Sequence, residues 1–177
     1  MTDRRRFEQQ VLPHIDAAFN LARWLTRNDH DAEDVVQDAM LRAYRHFEGL
    51  RGEARPWLLA IVRNACFSWM QRNRPAELAA GPDAEAAEAA SAPADGPEAL
   101  LARELDRRML NKAIAALPFP FREALILREL EDLSYREIAR IANVPIGTVM
   151  SRLARARRLL AESVRVITLA SRLQTEK

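Results

Sequence analysis

The chain has one cysteine, Cys66, among its 177 residues, which excludes an intramolecular disulfide and any cysteine-rich zinc site. Cys66 sits among apolar neighbours and is expected to be a buried structural thiol. His14, His30 and His46 are scattered without ligand-like neighbours, so no metal site is expected. No Gly-rich phosphate loop and no nucleophile–base constellation stands out, so no catalytic residue and no cofactor is assigned. No apolar run approaches the ~20 residues of a membrane span. The N-terminus, MTDRRRFEQQ, is charged, and Pro13, His14 and Asp16 interrupt any apolar core that a signal peptide would need. The expectation is a cytoplasmic protein with no direct membrane insertion. Stretches alternating long enough for a strand are also missing, which leaves an all-α fold.

Helical periodicity is abundant. Val11, Ile15, Ala18, Phe19, Ala22 and Leu25 recur at helical spacing. A second helix is expected from Asp31, carrying Val35, Ala39, Leu41, Tyr44 and Phe47. A third is expected from Pro56, whose missing N–H suits a first turn, to about Arg72. From Pro75 to Pro97 the composition changes to ten alanines, four prolines, two glycines and five acidic residues, with no lysine or arginine. Such a segment has little with which to build a core and is expected to be a linker, with at most a transient helix over 83–90. Helices resume from Ala99 to about Ala116, end at Leu117-Pro118-Phe119-Pro120, and continue from Phe121 to Leu130. The organisation is therefore two small helical domains, 1–74 and 98–177, joined by an acidic Ala/Pro-rich linker over 75–97.

The net charge of +2 hides an asymmetry. From Arg140 onward there are seven arginines and one lysine against only Glu162 and Glu176, the footprint of a nucleic-acid contact. The same region, REIARIANVPIGTVMSRLARAR, reads as a helix–turn–helix. Ser134 and Glu137 form an S-x-x-E capping box. Asn143 and Val144 make the turn, and Pro145 opens the second helix. On that helix Val149, Leu153, Ala156 and Leu160 share a buried stripe, while Met150, Ser151, Ala154, Arg155 and Arg158 face away from it. A face that is small at its start and basic at its end suits a major groove.

Taken together, LSYREIARIANVPIGTVMSRLARARRLL, DAEDVVQDAMLRAYRHFEGL and RPWLLAIVRNACFSWMQRNR resemble bacterial RNA polymerase sigma factors of the extracytoplasmic-function (ECF) type. The resemblance covers residues 7–74 and 98–165. It implies an initiation factor, not an enzyme, that binds core RNA polymerase and promoter DNA under the control of an anti-sigma factor. It implies that Asp34, Gln37, Asp38, Leu41 and Arg42 dock on a coiled coil of the polymerase clamp. It assigns EGLRGEAR, residues 48–55, to capture of a flipped −10 base, and Arg51, Arg55, Arg63, Asn64, Arg72 and Arg74 to −10 DNA. Thr148, Met150, Ser151, Arg152, Ala154, Arg155 and Arg158 fall at the −35 positions. Two residues depart from many relatives: Ser68 replaces an aspartate, and Met150 replaces an arginine or lysine. Trp57 and Trp69 are read either as base-stacking groups or, by helical spacing, as core. The residues alone leave open a stand-alone DNA-binding regulator and a helical protein that sequesters another protein.

Overall fold

In the computed structural model, the backbone is described over residues 3–79 and 98–175, and side chains over 4–78 and 105–165. Among these residues the regular elements are all helical, as the absence of strand patterning implies. The first group of helices, ahead of the undescribed segment, comprises α1 (Asp3–Gln10), a 3-10 turn (Leu12–His14), α2 (Ile15–Thr26), α3 (Asp29–Arg45), a 3-10 turn (Phe47–Gly49), α4 (Ala54–Asn73) and α5 (Pro75–Ala79). The second comprises α6 (Glu98–Ala116), α7 (Phe119–Glu129), α8 (Tyr135–Ala142) and α9 (Ile146–Thr175).

Local signals explain most boundaries. Pro13 splits the first apolar stripe into α1, the turn and α2, so Val11 is buried outside any α-helix while Ile15 is exposed. α2 ends on Arg27 in the left-handed region (φ 58°), whose N–H returns to the Arg23 carbonyl at 2.8 Å. α3 starts at Asp29, two residues before its expected start, because Asn28 is the N-cap and accepts from the Asp31 N–H at 3.1 Å. Leu41 and Tyr44 do not belong to the buried stripe of α3; both side chains are more than half exposed. α4 likewise begins earlier, at Ala54, leaving Pro56 in the first turn where no N–H is needed.

The first five residues of the expected linker form α5. Its Glu77 lies 2.8 Å from Arg27 and 3.6 Å from Arg74. The remainder of that segment, including the helix expected over 83–90, lies outside the described residues.

α2, α3 and α4 form a three-helix unit, with Leu21, Leu25, Leu58, Leu59, Val62 and Met70 fully enclosed. The second unit is built on Ile126, Leu127, Ile138, Val149, Leu153 and Ala156. The two units touch. α2 packs on α7 and α4 on α8, and the buried apolar residues of both form one cluster. Phe67 of α4 meets Phe119 of α7 edge-on, with ring centroids 6.0 Å apart.

Candidate nucleic-acid interface

The helix–turn–helix forms as its capping signals require. The Ser134 hydroxyl accepts from the Glu137 N–H at 3.3 Å, and the Glu137 carboxylate accepts from the Ser134 N–H and hydroxyl, each at 2.7 Å. These bonds hold the Glu137 carboxyl below the usual carboxylate range. Asn143 adopts the left-handed region (φ 54°) and ends α8, and the Val144 N–H returns to the Ala139 carbonyl at 3.0 Å. The corner leaves an open groove of about 560 Å³ lined by Arg136, Arg140, Asn143 and Ile146 among others.

On α9, Val149, Leu153 and Ala156 turn into the core, and Leu160 is half-buried. Met150, Ser151, Ala154 and Arg158 are exposed, with Thr148 and Arg155 half-exposed beside them. Met150 is 54% exposed and presents an apolar thioether where a cation is common in the resemblance. Arg152 leaves this group. It turns towards α7, 3.7 Å from the Glu123 carboxylate.

The residues expected at −10 DNA divide in two. Arg51, Asn64 and Arg72 are exposed, and Gly52 (φ 81°) reverses the 48–55 loop in a conformation that suits glycine. Arg55, Arg63 and Arg74 are occupied. Arg55 donates to the Glu131 carboxylate at 2.7 Å and to its backbone carbonyl at 2.6 Å. Arg63 donates through Nε to one oxygen of Glu123 and through Nη2 to the other at 3.4 Å. Arg74 donates to the Thr26 carbonyl at 3.1 Å and lies over the Trp69 ring, 5.3 Å from its centroid. Trp57 and Trp69 are both half-buried against the core.

On α3, Asp34, Gln37, Asp38 and Leu41 form one exposed stripe at helical spacing, and Leu41 is 59% exposed. Arg42 reaches back to Asp38 at 2.6 Å. Tyr44, one turn further on, was not among the expected contacts. It stacks edge-on with Phe7 at 5.2 Å and lines a shallow groove with Arg4, Glu8 and Leu12.

Sequence reasoning also missed Arg122, Glu123 and Glu131, the buried charges facing the first domain. A signal was present: Arg122 and Glu123 stand four residues before Ile126 and Leu127, on the buried face of α7. Among the described residues no histidine, cysteine and carboxylate cluster is arranged for a metal ion. No described helix is long and apolar enough to cross a membrane.

Comparison with known proteins matches both units. A family model described as "Sigma-70 region 2" matches residues 11–75, and "Sigma-70, region 4" matches residues 107–160. The ECF RNA polymerase sigma-E factor of Haemophilus influenzae is 38% identical over 152 residues, covering 81% of this chain and 79% of that protein. The chain belongs to the ECF sigma factors. The sigma-E factor of Escherichia coli strain K12 is 37% identical over 145 residues, 76% of this chain and 74% of that protein. Among solved structures, the sigma factor RpoE in complex with the anti-sigma factor NepR from Bartonella quintana superposes with a TM-score of 0.71 at 30% identity. That match covers 92% of this chain and 98% of the other. CnrH in complex with the cytosolic domain of CnrY superposes with a TM-score of 0.62 at 25% identity, covering 92% and 90%. ECF sigma factors are transcription initiation factors.

Proposed function

We propose that this ECF sigma factor docks on core RNA polymerase through Asp34, Gln37, Asp38, Leu41 and Arg42. It reads the −35 element with Thr148, Met150, Ser151, Ala154, Arg155 and Arg158, and with Arg152 once that side chain is free. Arg51, Arg55, Arg63, Asn64, Arg72 and Arg74 hold the −10 element while the 48–55 loop captures a displaced base. Strand opening uses binding energy alone, so the protein performs no bond chemistry and is not an enzyme. It acts in the cytoplasm and is controlled by an anti-sigma factor. The domains are 1–74 and 98–177, with 75–97 as the tether that lets them span the two promoter elements.

The coexistence of an open polar–apolar stripe on α3 and a small-then-basic face on α9 carries this reading. A stand-alone regulator needs only the second. A band-shift assay separates them: a −35/−10 duplex is shifted by the protein together with core polymerase and hardly by the protein alone. Equal shifts with and without core would support a stand-alone regulator.

A further inference from the structure

The two faces that would hold promoter DNA are partly occupied by the protein itself. Glu123 of α7 is 1% exposed and lies between Arg63 of α4, 12% exposed, and Arg152 of α9. A single carboxylate thus engages one arginine of the −10 set and one of the −35 set. Glu131 is also buried, and it holds Arg55 by side chain and backbone while its other carboxylate oxygen accepts from Asn20 at 3.0 Å. Both acids come from the second domain. Arg55, Arg63 and Asn20 come from the first.

A carboxylate and a phosphate ask the same geometry of a guanidinium, two acceptors facing a planar fork. An arginine engaged by Glu123 therefore cannot hold a nucleotide phosphate at the same time. Asp34, Gln37, Asp38 and Leu41 remain exposed, so the same arrangement leaves the polymerase-docking face open.

We propose that Glu123 and Glu131 form an intramolecular charge latch, standing in for DNA phosphates at Arg63 and Arg55 and keeping the free protein closed to promoter DNA. This inference rests on the −10 and −35 roles proposed above. The latch exchanges rather than breaks its ion pairs. When the domains separate, phosphates replace the carboxylates on the arginines, and Glu123 and Glu131 are rehydrated. Core polymerase can engage α3 first and DNA only afterwards, which limits binding by the free factor.

The test uses the full chain without polymerase. Small-angle X-ray scattering reports compaction, and fluorescence anisotropy with a labelled single-stranded 12-nucleotide DNA reports access to the arginines. Glu123→Gln with Glu131→Gln keeps side-chain shape and removes the charges. The double variant is expected to expand and to bind the oligonucleotide at least ~10-fold more tightly, because the binding-competent fraction rises. Glu129→Gln with Asp132→Asn removes the same charge nearby, outside the latch, and is expected to leave both readouts near the wild type. A double variant as compact as the wild type, or an equal gain in the control, would overturn the latch. If the double variant does not fold, Glu131→Gln alone decides. It should expand the chain and tighten oligonucleotide binding by a smaller factor, and unchanged readouts would overturn the latch. Failure of the sigma-factor reading shows separately, as an absence of transcription with core polymerase.

Discussion

Arg122 of α7 donates to the Leu25 carbonyl of α2 across the domain interface, at 3.2 Å. The same guanidinium donates to the Leu117 carbonyl at 2.8 Å and to that of Ala115 at 3.1 Å. One planar cation thus ties the last turn of α2 to the α6–α7 corner, where the backbone acceptors of helix ends favour positive charge.

Removing it leaves the buried Leu25 and Leu117 carbonyls short of this donor, while the Ala115 carbonyl keeps Arg27 at 3.1 Å. Arg122→Ala should destabilise the protein by about 3 kcal/mol, read as a lower midpoint in urea. Arg122→Lys should recover little, since an ammonium lacks the fork that spans these acceptors. Burial, with nearby Arg27 the next cause, pushes the Arg122 pKa down to about 10. The folded protein therefore sheds this proton before the unfolded chain does, and stability gains from this group only as pH rises above about 10. At neutral pH the group is charged in both states, so its effect on stability should be flat there. A midpoint unaltered by Arg122→Ala would contradict its bridging role.

The capping box makes a prediction of the same sign in pH, in an acidic window. Ser134→Ala should cost about 1 kcal/mol by freeing an orphan amide at the start of α8. The Glu137 pKa lies below its usual 4.5, with the Ser134 hydroxyl as the largest cause and the Ser134 N–H next. Its stabilisation is present above the unfolded value and is lost as pH falls through the lower folded one. Glu137→Gln should therefore lower the melting temperature at pH 7, by progressively less as pH falls through the lowered folded value. A loss that does not change with pH would contradict a charge-dependent cap.

These examples show what the sequence made legible. The capping box, the Asn143 turn and the Val149–Leu153–Ala156 stripe depend on contacts within about one turn, so their pattern was readable. The docking of the two domains was not. It depends on Arg122, Glu123 and Glu131, residue types usually placed at a surface, meeting partners up to 111 residues away. Arg63 and Arg55 were legible as cations; that carboxylates would hold them was not. Leu41 shows the limit of spacing alone, which marked it as an apolar residue of the helix without saying which face it takes; tertiary packing leaves it 59% exposed.

Cys66 should behave as a structural thiol. Burial pushes its pKa from 9.0 to about 12, with the nearby Glu123 charge a further cause. At pH 8 an aromatic disulfide reagent should react only as fast as the protein unfolds, and instantly in denaturant. Rapid labelling of the folded chain would show that α4 opens far more readily than its packing implies.

The α3 stripe separates docking from stability. Leu41→Ala should alter unfolding free energy by less than about 0.5 kcal/mol, because the side chain is already in water. It should weaken capture by core polymerase by about 10-fold if Leu41 fills an apolar site there. A variant that binds core normally would remove Leu41 from the docking face.

On α9, Arg158→Ala should weaken promoter binding by the polymerase–factor complex across all sequences and reduce the salt slope by about 1. Met150→Arg should instead change which −35 bases are preferred, since a fork donor replaces an apolar contact. Binding measured over a salt series and over single-base promoter variants distinguishes the two. Loss of sequence preference from Arg158→Ala would reverse the assignment.

Run-off transcription with bacterial core polymerase, over a library of promoter fragments, tests the central claim most directly. Transcripts that appear only when this protein is added, and that share upstream −35 and −10 motifs, are the predicted result. No stimulation at any fragment, with tight duplex binding by the protein alone, would contradict it.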